Sequence, residues 1–381
     1  MIPVQPWHQR LGYYQVGNEQ IINKSNALIK ATATNQPVRW NFNDVVYSSF
    51  DWTKPIDVPL PELYKIRAQQ LRDQYDHLML YYSGGADSTN VLHAFIDNNI
   101  FIDEIVMQYP KPIESTMNNI DTGNDNYFSE IKFSAMAHLD KIKNQLDLRT
   151  KIRILDQAAD TTELFKKDNW FEKFPLGTMI TPAGTGRQIS AIVDPELDKL
   201  YKLGKTVCQI YGVDKPVISV DNNEYFAYFV DAHATHAVPT GYDLGDLVNK
   251  FFFMEFFYWT PDLPEIVIKQ AQEIKKVAEV DKNVKWHLIN SRTIHIDQLR
   301  SILHPIIYCE EANTKVFQTR KPGSNVFRPM DRWFWLPEFK QAQQNYLNVI
   351  KYLGQAIDSK YLSGNDIYNG LNSISSRKYK L

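Results

Sequence analysis

The sequence predicts an α/β protein in which a parallel-sheet domain is followed by a mostly α-helical region, and three observations carry that reading. Leu78-Met79-Leu80-Tyr81-Tyr82 is an uncharged run that switches abruptly to the small and polar Ser83-Gly84-Gly85-Ala86-Asp87-Ser88, after which Val91, Leu92, Phe95 and Ile96 recur at helical spacing. That is the pattern of a buried strand, a tight turn and a helix packed back on a sheet. Glu104 to Tyr109 then reads as a second strand ended by Pro110, and strand, helix, strand in about thirty residues is the size of a βαβ unit. Beyond residue 242 the chain changes character: Ile266, Ile268, Ala271, Ile274 and Ala278 follow a helical period with Glu and Lys between them.

Taken in order, residues 1–60 are rich in Asn, Pro and aromatic residues, and their repeated prolines break regular elements, so they read as an N-terminal arm or cap. From Pro61 the stripe Leu63, Ile66, Leu71, Tyr75 predicts a helix before the strand at 77–82. Residues 111–126 read as a polar loop, Ser129 to Leu139 as a helix and Lys151 to Asp156 as a third strand. Residues 175–194, with Gly177, Gly184 and Gly186 among threonines, read as a flexible, donor-rich stretch. Leu197 to Ile210 is expected to be helical with Cys208 near its end, followed by a stop and turn at Tyr211-Gly212-Val213-Asp214-Lys215-Pro216 and a strand at Val217 to Val220. Tyr225 to Asp231 follows too soon for a helical crossover, so it must be antiparallel or outside the parallel sheet. Leu247 to Trp259 is expected to begin as a helix dense in Phe, with further helices near 295–303 and 338–357. The division that results is 1–60, 61–235 and a helical, aromatic-rich 236–381.

Composition narrows the function. With 44% hydrophobic and 23% charged residues the chain of 381 residues can bury a substantial core, and its formal charge of −2 offers no bulk nucleic-acid signature. Two cysteines, Cys208 and Cys309, suit a reducing, cytoplasmic setting and offer neither a disulfide framework nor a zinc knuckle. The greasiest run, Phe251 to Trp259, is nine residues interrupted by Glu255, well short of the roughly 20 needed to cross a bilayer. The amino terminus lacks the pattern of a secretory signal. Abundant Tyr, Phe and Trp leave room for a substrate cleft, a homo-oligomer interface or a partner protein. His233 and His236 with Asp231 suggest metal ligands only superficially, because sequence assigns them no third partner, and Asp221 and Asp231 read first as turn residues.

Chemistry concentrates at 83–89. Two glycines bring backbone amides close to a ligand, and Ser83, Ser88 and Thr89 add hydroxyls at the start of a helix, where an anion is favoured. Neither the Walker spacing nor the dinucleotide-binding Gly-x-Gly-x-x-Gly is present. Arg187 adds a fixed positive fork suited to phosphate or carboxylate.

Residues 83–88 resemble the pyrophosphate-binding loop, or PP-loop, of the ATP pyrophosphatases of the adenine nucleotide alpha hydrolase type, a Rossmann-like group that includes asparagine synthetases, argininosuccinate synthetases and GMP synthetases. The resemblance implies that Ser83, Gly84, Gly85 and Ser88 surround the leaving pyrophosphate of ATP and that Asp87 holds Mg2+. It also implies that Met107, Gln108 or Tyr109 lies near the adenine, and that a late-loop lysine, Lys315 or Lys321, approaches the acyl-adenylate or pyrophosphate. Beyond the loop the likeness to asparagine-synthetase-like proteins is one of arrangement. The expected activity is AMP-forming activation of a carboxylate or carbonyl oxygen for carbon–nitrogen bond formation by a ligase. With no cysteine before Cys208, the glutaminase half of such enzymes is not expected. The alternatives are sulfur transfer within the same superfamily and a non-catalytic nucleotide-binding interaction protein.

Overall fold

The computed structural model describes residues 10–112, 131–167, 170, 180–191, 193–213, 215–232, 252–290, 296–313 and 333–381. At the N-terminal side, β1 (Tyr13–Val16), β2 (Glu19–Ile21) and β3 (Val38–Asn41) form an antiparallel sheet in the order β2-β1-β3. Between β2 and β3 runs the helix Lys24–Thr34, started by Asn23, whose side chain accepts from the Asn26 amide, and closed by Asn35 in the left-handed region. Among the described residues, the prolines expected to break this part fall between its elements or at a helix start. Pro37 precedes β3, and Pro61 sits in the first turn of the helix Leu60–Gln74, where a missing amide costs nothing.

Five parallel strands form the central sheet: β4 (His77–Tyr81), β5 (Glu104–Tyr109), β6 (Lys151–Asp156), β7 (Val207–Tyr211) and β10 (Phe252–Phe256), in the order β10-β7-β4-β5-β6. Every residue of β4, β5 and β7 is buried, as expected of strands covered on both faces by crossover helices. Along the chain the sheet grows from β4 to β5 and β6, then returns to the other side of β4 with β7 and β10. That reversal makes a topological switch point between β4 and β7, and open α/β sheets bind ligands in the crevice beyond the carboxyl ends of such strands. The sheet with its flanking helices is a Rossmann-like arrangement of the general kind used by nucleotide-binding enzymes.

Two strands of this sheet replace helices expected from sequence. Leu197 to Ile210 divides into the helix Pro195–Lys202 and β7, so Cys208 lies in the middle of the sheet rather than at a helix end. The phenylalanine-rich stretch expected to be helical contributes β10, which pairs with β7 from Phe252↔Val207 to Phe256↔Tyr211. A short run that is apolar on both faces carries no period by which helix and strand can be told apart. Glu255, which interrupts it, accepts from Arg67 Nη2 at 2.9 Å and from the Tyr75 hydroxyl at 2.7 Å, both from the region preceding β4.

Within the glycine- and threonine-rich stretch, read from sequence as flexible, Pro182–Ser190 is a helix, capped by Thr181 Oγ1, which accepts from the Gly184 amide at 3.0 Å. The hairpin after β7 is antiparallel as expected. β8 (Val217–Asp221) and β9 (Glu224–Tyr228) turn through Asn222 and Asn223, whose positive φ values of 48° and 66° suit a tight hairpin, and β11 (Tyr379–Lys380) adds to β9. The later chain is largely helical, with Glu265–Val280, Lys282–Ile289, Ile296–Ile307 and Lys340–Ala356. Among the described residues no helix is long and apolar enough to cross a membrane.

Candidate functional site

The Ser83–Ser88 turn leaves the carboxyl end of the central strand. Tyr82 still bonds to β5 through its amide and the Val106 carbonyl at 2.8 Å, and the helix Ala86–Ile96 begins four residues later. The two serines close the turn on itself: their hydroxyls are 3.3 Å apart, Ser83 Oγ accepts from the Gly85 amide at 3.2 Å, and Ser88 Oγ donates to the Gly85 carbonyl at 3.2 Å. Gly84 has φ +76°, and a Cβ there would lie 2.4 Å from the Ala135 amide nitrogen and 2.7 Å from its Cα. Only glycine fits both the conformation and the approach. Ser134 Oγ donates to the Gly84 carbonyl at 2.7 Å and secures that contact.

Gly85 is the N-cap of the helix, and among the described residues no side chain caps it. First-turn amides without a side-chain acceptor, at the positive end of a helix, favour an anion there. Thr89 faces the other way; it is buried, with Oγ1 3.2 Å from the Tyr82 hydroxyl, and pins helix to strand.

Asp87 stands in the first turn, and the chain leaving β7 comes directly to it. A Cβ on Gly212 would lie 3.1 Å from the carbonyl carbon and oxygen of Asp87 and from the Ser88 nitrogen, so glycine permits the close passage. Three residues on, the buried Lys215 brings Nζ to 3.8 Å from Asp87 Oδ1. From the helical region the Tyr308 hydroxyl donates to the same oxygen at 2.6 Å, and from the segment just after β10 the Tyr258 hydroxyl donates to the Asp87 main-chain carbonyl at 2.9 Å.

Of the residues singled out in the sequence, Ser83, Gly84, Gly85, Asp87 and Ser88 therefore share one turn. Gln108 and Tyr109 end the adjacent strand β5; both are buried, and Gln108 Nε2 donates to Ser190 Oγ at 2.9 Å. Arg187 lies on the helix Pro182–Ser190, which ends at that serine. Lys315, Lys321, His233 and His236 lie outside the described residues. Asp231 is fully buried against Lys24, with Nζ 2.6 Å from Oδ2, and accepts from the Tyr14 hydroxyl and the Ile374 amide at 2.8 and 2.7 Å, so its role is to hold the fold together. Asp221 ends β8 at the hairpin, opposite Glu224.

Sequence reasoning missed Lys215, Tyr258 and Tyr308. Lys215 had a usable signal, because with Val207–Tyr211 read as a strand, Gly212 to Lys215 becomes a strand terminus facing the crevice. The tyrosines had none; they reach Asp87 only through folding of segments about 170 and 220 residues away.

Both thiols are held protonated. Burial is the main cause in each: it pushes Cys208 well above the ordinary thiol range, with Glu255 adding to the effect, and raises Cys309 to about 11. Among the described residues no group of three or more His, Cys, Asp or Glu side chains gathers as a metal cage. A single carboxylate beside first-turn helix amides is a donor set that suits Mg2+ instead, since that ion is usually held by one or two carboxylates together with substrate phosphates and water. No protein-family model matches the chain, and no curated protein matches it.

Proposed function

We propose that the chain is a PP-loop ATP pyrophosphatase of the AMP-forming ligase type, which binds ATP with Mg2+ and activates a carboxylate or carbonyl oxygen for carbon–nitrogen bond formation. The observation that carries this reading is the Ser83–Ser88 turn at the carboxyl end of the central strand, beside the sheet reversal, with Asp87 and Lys215 converging on it. A substrate oxygen attacks the α-phosphorus, the bond from that phosphorus to the bridging oxygen breaks, and pyrophosphate leaves with the electron pair. An amine or ammonia then displaces AMP from the activated carbon.

The chain's part is to hold the departing charge. First-turn amides and the hydroxyls of Ser83 and Ser88 face pyrophosphate oxygens, Lys215 supplies a positive charge at the same point, and Asp87 holds the cation. Mg2+, when bound, neutralises phosphate charge. Arg187 and one of Lys315 and Lys321 are further proposed cations, and Gln108 and Tyr109 border the proposed base pocket. Sulfur transfer is the weaker reading, because a sulfur carrier reacts as its thiolate and both cysteines are held as thiols.

Product analysis tests the reading. Purified protein incubated with MgATP and pools of carboxylic acids and amines is expected to release AMP and pyrophosphate; ADP and phosphate, or no turnover with any pool, would overturn it.

A further inference from the structure

Asp87 is gripped from the helical region through a small buried polar network whose donors and acceptors can be assigned. The Cys309 amide donates to Asn90 Oδ1 at 2.9 Å, and because an amide N–H cannot face an NH2 group productively, this contact fixes Asn90 Nδ2 toward Tyr258. Asn90 Nδ2 donates to the Tyr258 hydroxyl at 2.9 Å, which leaves that hydroxyl's own proton for the Asp87 carbonyl. Residue 308 precedes the amide that Asn90 holds, and the Tyr308 ring stacks on Tyr258 with centroids 5.5 Å apart and planes 26° apart. Asn90 is 2% exposed, Tyr258 fully buried and Tyr308 7% exposed, so water does not compete for these bonds. Tyr308 and Lys215 both approach Oδ1 of Asp87; among the described residues Oδ2 has no such contact.

We propose that Tyr308 and Asn90 are positioning residues for the Asp87 carboxylate. Tyr308 holds Oδ1 and so presents Oδ2 to a divalent cation, while Asn90 sets Tyr308 through Cys309 and sets the Asp87 backbone through Tyr258. The inference rests on the functional reading for the identity of the cation and its nucleotide, and on the hydrogen-bond geometry alone for the coupling between the helical region and the phosphate loop.

The test uses Tyr308→Phe, which deletes only the hydroxyl, with Tyr346→Phe as a control that deletes a buried hydroxyl bonded to the Ile180 carbonyl. ATP binding is titrated by calorimetry against Mg2+ and repeated in EDTA, and amide exchange is followed over residues 83–89 without nucleotide. Tyr308→Phe is expected to need about ten-fold more Mg2+ for half-maximal binding, the lower end of what one lost charge-assisted bond is worth. ATP binding in EDTA should match wild type, loop exchange should quicken, and Tyr346→Phe should change neither. An unaltered Mg2+ requirement together with wild-type loop exchange overturns the proposal, as does the same response in Tyr346→Phe. Wild-type protein that binds no MgATP defeats the functional reading instead, and loop exchange then still decides the coupling.

Discussion

Replacing Lys215 by methionine keeps the length and apolar stem of the side chain and removes a charge whose Nζ lies 3.8 Å from Asp87 Oδ1. Two unit charges at about 4 Å interact by roughly 4 kcal/mol at the effective dielectric of a protein surface. In the resting protein most of that gain is offset by the cost of taking the ammonium out of water. The Asp87 side chain is 27% exposed and can still be hydrated when its partner is gone. The fold should therefore lose no more than about 1 kcal/mol. Under the proposed function the balance differs as pyrophosphate departs, because new negative charge would develop beside the cation without further desolvation of the lysine. Loss of one preorganised donor to such charge costs about 3–4 kcal/mol, or roughly 100- to 1000-fold in rate. ATP–pyrophosphate exchange, measured with the substrate that supports turnover, should fall by that factor in Lys215→Met while thermal unfolding moves by only a few degrees. Exchange within about three-fold of wild type, in a folded variant, would refute the assignment of Lys215 to the departing phosphate.

Gly84→Ala should destabilise the protein by about 2–4 kcal/mol in urea unfolding, since it combines a left-handed backbone with a backbone clash at Ala135, whereas Gly204→Ala, at φ +73° with nothing within 4 Å, should cost about 1–2 kcal/mol; equal costs would remove the close approach. Lys24→Met should cost about 3–5 kcal/mol because it strands the fully buried Asp231 carboxylate, and a loss under about 1 kcal/mol would argue against that pair. Burial, with Asp156 and Asp194 nearby, raises Asp160 to about 6 in the folded protein, above the roughly 3.9 of an unfolded chain. Its contribution to stability is therefore complete below about pH 4 and lost as pH rises through about 6. Asp160→Asn should gain urea resistance relative to wild type across that window, and a pH-independent difference would contradict the shift.

How much of this was legible beforehand follows from which contacts are local. Ser83 to Ser88 carries its own instructions: an apolar run, two glycines and a polar helix start lie within a dozen residues, so strand, turn and helix could be read directly, as could β5, β6 and the β8–β9 hairpin. Cys208 and Phe252 to Phe256 could not be placed the same way. A strand buried on both faces has no polar alternation to distinguish it from a buried helix, and only pairing with β4 and β7 decides.

The same division runs through the site. By itself the sequence determined the parallel-sheet class, the helical later region and the glycine-serine turn between β4 and its helix, because each depends on neighbours along the chain. What surrounds Asp87 was decided only by tertiary structure. Lys215 reaches it because β7 returns beside β4, Tyr258 because β10 packs outside β7, and Tyr308 because Asn90 holds the Cys309 amide. Charge and hydrogen-bond geometry act over a few ångströms of space and are indifferent to separation along the chain, so three residues that sequence leaves scattered become one carboxylate's environment when the sheet closes.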